Sequence, residues 1–276
     1  MIFYCTSILS YSLQQRVATA FVSQRIPKHI SGTFVAKMTT QDDVSNNNPL
    51  SQRGLPSPLL LGSASFTRKL ILSEMDIPYH KCVRPIDEKA LGDRSKDNPH
   101  DLVLTLACAK MDHLVSEIQN GNCEDDMPSS NHNKGDDWVV LTGDQVVTWE
   151  GNILEKPESI EEAKRFVQGY GKSPCSTVGS CVLTHLPTGI TVKGVDTATI
   201  HFKPTIDGDL VDKMLAENAP ILSCAGGLMI EHPLVREHID RIEGTEDSVM
   251  GLSKDLVKRL LDEMKDKLDG HNSKSE

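Results

Sequence analysis

Two runs of alternating apolar and polar residues, Ser176 to His185 and Ile190 to Phe202, flank the short turn Leu186-Pro187-Thr188-Gly189. Alternation of period two on both sides of a Pro/Gly turn predicts a long antiparallel hairpin. A purely parallel sheet is then ruled out, because parallel neighbours are joined by crossovers and not by tight turns. Helical patterns are interspersed with further strand patterns, so the predicted class is α/β with a mixed sheet and flanking helices, α+β being the variant with segregated helices. No internal repeat is visible.

Leu59 to Gly62 reads as a short buried strand, and Ser63 or Ser65 can cap a helix whose apolar face holds Phe66, Leu70, Leu72 and Met75. Ile77 to Val83 predicts a second strand, and His100 to Ser116 a helix. The polar segment from Asn120 to Asp137 lacks periodicity and reads as a surface insertion. Two apolar runs around Gly143-Asp144 follow, and Glu150-Gly151-Asn152 predicts a tight hairpin turn. Ser159 and Glu162 form a capping-box pattern for a helix ending near Gly169. Helices from Asp209 to Glu217 and from Lys254 to Leu268 complete the order.

The 276 residues, 38% of them hydrophobic, suffice for a sizeable core. Met1 to Thr40 contains no Asp or Glu, and Ser45 to Pro58 is rich in Asn, Ser, Pro and Gly. The expected organisation is a disordered leader over 1–57, one domain over 58–268 and a flexible tail over 269–276. Two readings of the leader are open: an organelle transit peptide for mitochondrion or plastid, or a start at Met38 and a cytoplasmic protein. A formal net charge of -10 argues against polymeric nucleic acid as a partner. No run is long and apolar enough to span a bilayer, so no membrane partner is expected. Seven scattered cysteines form no C-x-x-C pair, which suggests reduced thiols. Among the histidines, His232 and His238 come nearest to zinc spacing, and a structural role is favoured for them.

Several positions carry the chemistry. A helix N-terminus with small hydroxyl residues accepts anions, which suits Ser63 and Ser65, with Arg68 and Lys69 one turn further on; an ordinary serine-capped turn is the competing reading. Asp144 stands at the end of an apolar run beside Gly143, where a carboxylate can face a cleft and hold Mg²⁺ or orient a water; a turn aspartate is the alternative. Lys156, before Pro157 on the return strand, is either a phosphate contact near Asp144 or an edge lysine. Glu88 is a candidate second metal ligand or a solvated loop acid. Lys110, in apolar company, either faces a phosphate or extends to the surface. Glu231 follows the glycine-bearing segment Cys224-Ala225-Gly226-Gly227, which allows close backbone approach to a ligand.

In order, the strand with Ser63-x-Ser65 and its basic pair, Asp87-Glu88, Ala107-Cys108-Ala109-Lys110, Gly143-Asp144-Gln145, Glu155-Lys156-Pro157 and the Cys224 to Glu231 segment resemble the Maf family of nucleoside triphosphate pyrophosphatases. The similarity spans nearly all of Pro58 to Leu268 and includes the closing stretch from Ile242 to Val257. Departures are the insertion, and Ser253 where a proline is usual. The resemblance implies an elongated twisted mixed sheet with a cleft between two lobes, and a homodimer. It implies phosphate contacts at Ser63, Arg68, Lys110 and Lys156, a metal-binding carboxylate at Glu88 and the catalytic acidic residue, metal ligand or general base, at Asp144, with Mg²⁺, or Mn²⁺, as cofactor.

Members acting on thymidine and uridine triphosphates typically read G-A-D-T and carry glutamine in the glycine-rich segment. Gly143-Asp144-Gln145, Thr67 and Glu231 look instead like the branch preferring 7-methyl-GTP, although Phe66 and Thr67 stand where that branch usually reads Pro and Trp. Gln145 and Glu231 are thereby expected to contact the substrate, and a carboxylate at Glu231 suits a base made cationic by methylation at N7. The function so implied is hydrolysis of a nucleotide to a monophosphate and pyrophosphate. Two readings compete with it: a pyrimidine-specific enzyme of the same chemistry, and a nucleotide-binding regulator of cell division without turnover.

Overall fold

The computed structural model describes residues 48–127 and 137–273. The leader expected over 1–57 therefore lies outside the described residues up to position 47, its acid-free stretch included, as does half of the polar insertion. Eight strands form one mixed sheet: β1 (Leu59–Leu61), β2 (Tyr79–Lys81), β3 (Val139–Thr142), β4 (Gln145–Trp149), β5 (Asn152–Leu154), β6 (Cys175–His185), β7 (Thr191–Phe202) and β8 (Ile239–Glu243). The helices are α1 (Phe66–Glu74), α2 (Pro99–Gln119), α3 (Ile160–Tyr170), α4 (Asp209–Ala216), α5 (Pro233–Arg236), α6 (Glu246–Met250) and α7 (Lys254–Asn272).

The long hairpin is β6–β7, paired from Cys175–Ile200 to Thr184–Thr191, and it forms the spine of the sheet. On one side of it β7 pairs β8. On the other side β6 pairs two strands in turn, β3 through Val182 to His185 and β4 through Cys175 to Gly179. β1 joins β3 and β2 in parallel, while the remaining pairings are antiparallel. The register passes through Gly143-Asp144 without an insertion: Thr142 pairs Val182, and Gln145 pairs Gly179, three residues on along each strand. β3 and β4 are thus one line along β6, interrupted at Gly143 and at Asp144, the expected catalytic carboxylate.

Both faces of the central strands are covered, so they are apolar throughout instead of alternating. Leu59, Leu61, Val139 and Leu141 point into a cluster with Leu256, Leu260 and Leu261 of α7. Leu60 and Val140 point the other way, into a cluster with Met111 and Leu114 of α2. A third cluster joins Val147, Ala163, Phe166, Tyr170, Ile200 and Met214, where α3 and α4 cover the far ends of β6 and β7.

Several expected boundaries differ. Leu50 and Leu55 are buried in the α7 cluster, and Arg53 Nε bonds Asp262 Oδ1 at 2.6 Å, so the folded unit includes residues before Pro58. The C-terminal helix continues beyond Leu268 to Asn272, into the stretch expected to be a flexible tail. β2 covers Tyr79 to Lys81 only. Phe66, expected on the buried face of α1, is 68% exposed because the first turn of that helix opens toward the cleft. Cys123, at the start of the polar insertion, is buried beside Met111 and Leu114; one apolar residue anchors a segment that the sequence suggested was wholly superficial.

Candidate functional site

Ser65 caps α1, its Oγ accepting from Arg68 N at 3.4 Å and sharing a 2.9 Å hydrogen bond with Thr67 Oγ1. Ser63 does not cap; it is buried, and its Oγ accepts from Ser65 N and from Arg68 Nη1, each at 3.2 Å. Its hydroxyl hydrogen remains to be donated to a ligand oxygen.

Arg68 is 8% exposed, and it braces the site more than it faces solvent. Its Nε donates to Gly251 O at 2.9 Å, and Nη1 donates to Gly143 O at 2.9 Å as well as to Ser63. Burial lowers its pKa, and the nearby Asp144 carboxylate opposes that shift. Three elements are joined by this one guanidinium, so the expectation of a simple phosphate contact is revised: only Nη2 is left for one.

Asp144 is 7% exposed at the break between β3 and β4. Gly143 allows that break, because a Cβ there would lie 2.5 Å from Ser180 O. Ser180 completes the fastening: its N–H donates to Asp144 O at 2.9 Å and its Oγ accepts from Asp144 N at 3.1 Å. Burial raises the Asp144 pKa above the ordinary aspartate value; Lys110 and then Arg68 pull it back.

Lys110, at the middle of α2, places Nζ 2.6 Å from Asp144 Oδ1 and 3.0 Å from Glu88 Oε1. Its buried company is thus explained by carboxylates. Glu88 opens the 3₁₀ turn Glu88–Ala90, which Asp87 caps. Gln145, predicted to contact substrate, lines the cleft, but its Nε2 donates to Val249 O at 2.7 Å and to Ser248 O at 3.4 Å, which binds β4 to α6. Lys156 lies beyond the end of β5, exposed at the cleft wall, and not on the return strand itself.

The cleft has a volume of about 1120 Å³, a little above the roughly 300–1,000 Å³ usual for small-molecule sites. Ser63, Arg68, Glu88, Lys110, Asp144 and Lys156 all line it, and so do Ser65, Gln145 and Glu231. At the Glu231 end the wall is the segment around Gly226, whose φ of +70° and crowding against Tyr170 and Val147 exclude a side chain. Tyr170 Oη donates to Gly226 O at 2.8 Å, and Gly226 N donates to Glu155 O at 3.0 Å. Burial raises the pKa of Glu231. It also pushes the Cys224 thiol up to about 11, with Glu231 acting in the same direction.

Sequence reasoning overlooked Ser180, Tyr170 and Arg94, which support the site without a motif of their own; a serine inside a strand or an arginine in a turn gives no signal. His232, weighed as a zinc ligand, caps α5 by accepting from Leu234 N and has Nε2 3.4 Å from Glu217. Among the described residues no cluster of three or more His, Cys, Asp or Glu could hold a metal, and no helix is long and apolar enough to cross a membrane.

The chain is similar to a 7-methyl-GTP pyrophosphatase of Dictyostelium discoideum, 33% identical over 75% of this chain and 97% of the relative. It is also similar to a dTTP/UTP pyrophosphatase of Salinibacter ruber, 30% identical over 74% of this chain and 89% of the relative. A nucleoside triphosphate pyrophosphatase of Corynebacterium diphtheriae is 31% identical over 74% and 92%. Residues 58–264 match the Maf-like protein family, and these carry every candidate site residue described above. The chain belongs to that family.

Proposed function

We propose that this protein hydrolyses the bond between the α and β phosphates of a nucleoside triphosphate, releasing a monophosphate and pyrophosphate, and that 7-methyl-GTP is the preferred substrate. The observation that carries the reading is the buried Asp144 carboxylate beside Lys110 and Glu88 in a cleft that starts at a helix N-terminus.

Asp144, made more basic by burial, accepts a proton from the attacking water. The water oxygen forms its bond to the α phosphorus while the bond to the bridging oxygen breaks, and the electron pair leaves with pyrophosphate. Lys110, Lys156, Arg68 Nη2 and the Ser63 hydroxyl donate to the phosphate oxygens where charge accumulates. Glu231, at the other end, accepts from the purine edge and faces the positive charge of a methylated ring.

A divalent ion, Mg²⁺ or Mn²⁺, fits this reading. Glu88 and Asp144 converge on one ammonium, that of Lys110, and these two carboxylates would hold the ion, since Mg²⁺ is commonly held by one or two carboxylates together with substrate phosphates. When bound, such an ion neutralises phosphate charge and acidifies water. Homodimerisation and a cytoplasmic location, with an organelle as the alternative, complete the proposal; sedimentation and a fluorescent fusion test them.

The deciding experiment measures pyrophosphate release by the full chain with Mg²⁺ across normal and methylated triphosphates, beside Asp144→Asn. Release chiefly from 7-methyl-GTP, lost in the variant, supports the whole reading. Release chiefly from UTP or dTTP keeps the chemistry and overturns the base preference. Nucleotide binding without release favours the regulatory protein.

A further inference from the structure

Between β2 and α2 the chain runs along the cleft, which Val83 to Lys89 line, as do Glu155 to Glu158. We infer that Arg94 is a positioning residue that ties the first of these lining segments to the second, and so sets Glu88 and Lys156 at the spacing a metal-bound polyphosphate requires. The inference rests on the phosphate-site reading above.

Four contacts carry it. Arg94 Nη2 donates to the backbone oxygen of Glu88 at 2.9 Å and to Glu155 Oε1 at 3.0 Å, while Nη1 donates to Leu91 O. Glu155 directly precedes Lys156, and its own backbone oxygen is held by Gly226 N. One planar guanidinium therefore meets the residue whose side chain bonds Lys110, and also the residue that leads into the second cleft lysine. The Arg94 side chain is 20% exposed and that of Glu155 39%, so the link is only partly open to solvent. Its Nε is buried with no partner, the cost of an orientation imposed by the other two nitrogens. The nearby pair Lys89–Glu158 spans the same gap, but with both side chains about three-quarters exposed it is screened and adds little.

Arg94 stands in the polar stretch from Asp93 to Pro99, and nothing in its spacing points to the cleft. Only the fold brings Glu155, 61 positions away, to its guanidinium.

Calorimetric titration of the full chain with inorganic tripolyphosphate, with and without Mg²⁺, tests this without requiring turnover. Arg94→Ala is expected to weaken binding of the Mg²⁺ complex by roughly 10- to 100-fold, the range typical of residues that orient ligating groups. The loss should be smaller without Mg²⁺, because Glu88 then has less to do. Arg94→Lys should recover part of it; this variant keeps charge and bulk, and decides the matter if the alanine variant does not fold. Glu155→Ala should cost less than Arg94→Ala, and the double variant no more than Arg94→Ala alone, since both act through one link. Binding by Arg94→Ala and Arg94→Lys equal to that of the unaltered chain overturns the inference. So does a loss that is the same with and without Mg²⁺ and additive with Glu155→Ala. Failure of the unaltered chain to bind tripolyphosphate at all overturns the site reading itself, a separate result from equal binding by all variants.

Discussion

Lys110 Nζ lies 2.6 Å from Asp144 Oδ1 and 3.0 Å from Glu88 Oε1, so one ammonium from α2 stands between carboxylates from two other segments. It offsets the burial of Asp144 and, in the proposed mechanism, donates to a phosphate. Lys110→Met removes both effects. The Asp144 pKa then rises further, so the acid side of the pH–rate profile moves to higher pH. At saturating pH the rate should fall by about a hundredfold, or roughly 3 kcal/mol of barrier. A full pH profile of kcat/KM for both chains checks the direction and the size.

Asp144→Asn should lower the rate by roughly two to four decades, about 3–5 kcal/mol. Its effect on stability has a definite sign. The folded-state pKa of Asp144 lies above its unfolded value, so its stabilising contribution is fully present below the ordinary aspartate pKa and is lost as pH rises through the raised value. The asparagine variant does not titrate. Its stability relative to the unaltered chain should therefore improve as pH rises above the ordinary aspartate value of 3.8, which paired denaturant titrations at several pH values will show.

Gly143→Ala would put a methyl group 2.5 Å from Ser180 O, against backbone with little freedom to yield. The β3–β4 line must then shift away from β6, carrying Asp144 with it. Urea titration should show a loss of about 1–3 kcal/mol, and activity should fall further than stability alone explains. An unchanged midpoint would mean the strand break is soft.

Tyr170→Phe leaves Gly226 O without its buried donor at 2.8 Å. The expected cost is about 1–3 kcal/mol. Because Gly226 belongs to the wall that carries Glu231, KM for the preferred nucleotide should rise more than kcat falls. Steady-state kinetics separates the two.

Glu231→Gln keeps the hydrogen-bonding shape of the side chain and removes its charge. Preference for 7-methyl-GTP over GTP should drop by about tenfold, the share of a charge-assisted hydrogen bond worth roughly 1.4 kcal/mol. The ratio of kcat/KM values for the two nucleotides reads it directly, and an unchanged ratio places recognition of the methylated base elsewhere.

How much of this was legible beforehand differs from residue to residue. The hairpin β6–β7 was, because two long strand-like runs divided by a short Pro/Gly turn pair antiparallel, even though β6 is buried on both faces at Cys181, Val182 and Leu183 and alternates only in part. The Glu150-Gly151 turn was too, and both residues take the positive φ of 49° and 79° that such a tight hairpin requires. Asp144 could be picked out because a carboxylate ending an apolar run has few places to go. Phe66 was misjudged, since periodicity reports an apolar face without saying which turn of the helix leaves the core.

Local patterning, then, determined by itself the elements, the mixed class and a short list of charged residues that burial could not leave alone. Only tertiary structure decided what those residues touch: that Arg68 braces Gly143 and Gly251, that Gln145 holds α6, that Lys110 serves two carboxylates, and that Arg94 reaches Glu155. Propensity and periodicity act over a few residues and leave their mark on the sequence. A buried charge, in contrast, is satisfied by whichever partner the packed sheet brings within about 3 Å, and no local spacing encodes that choice.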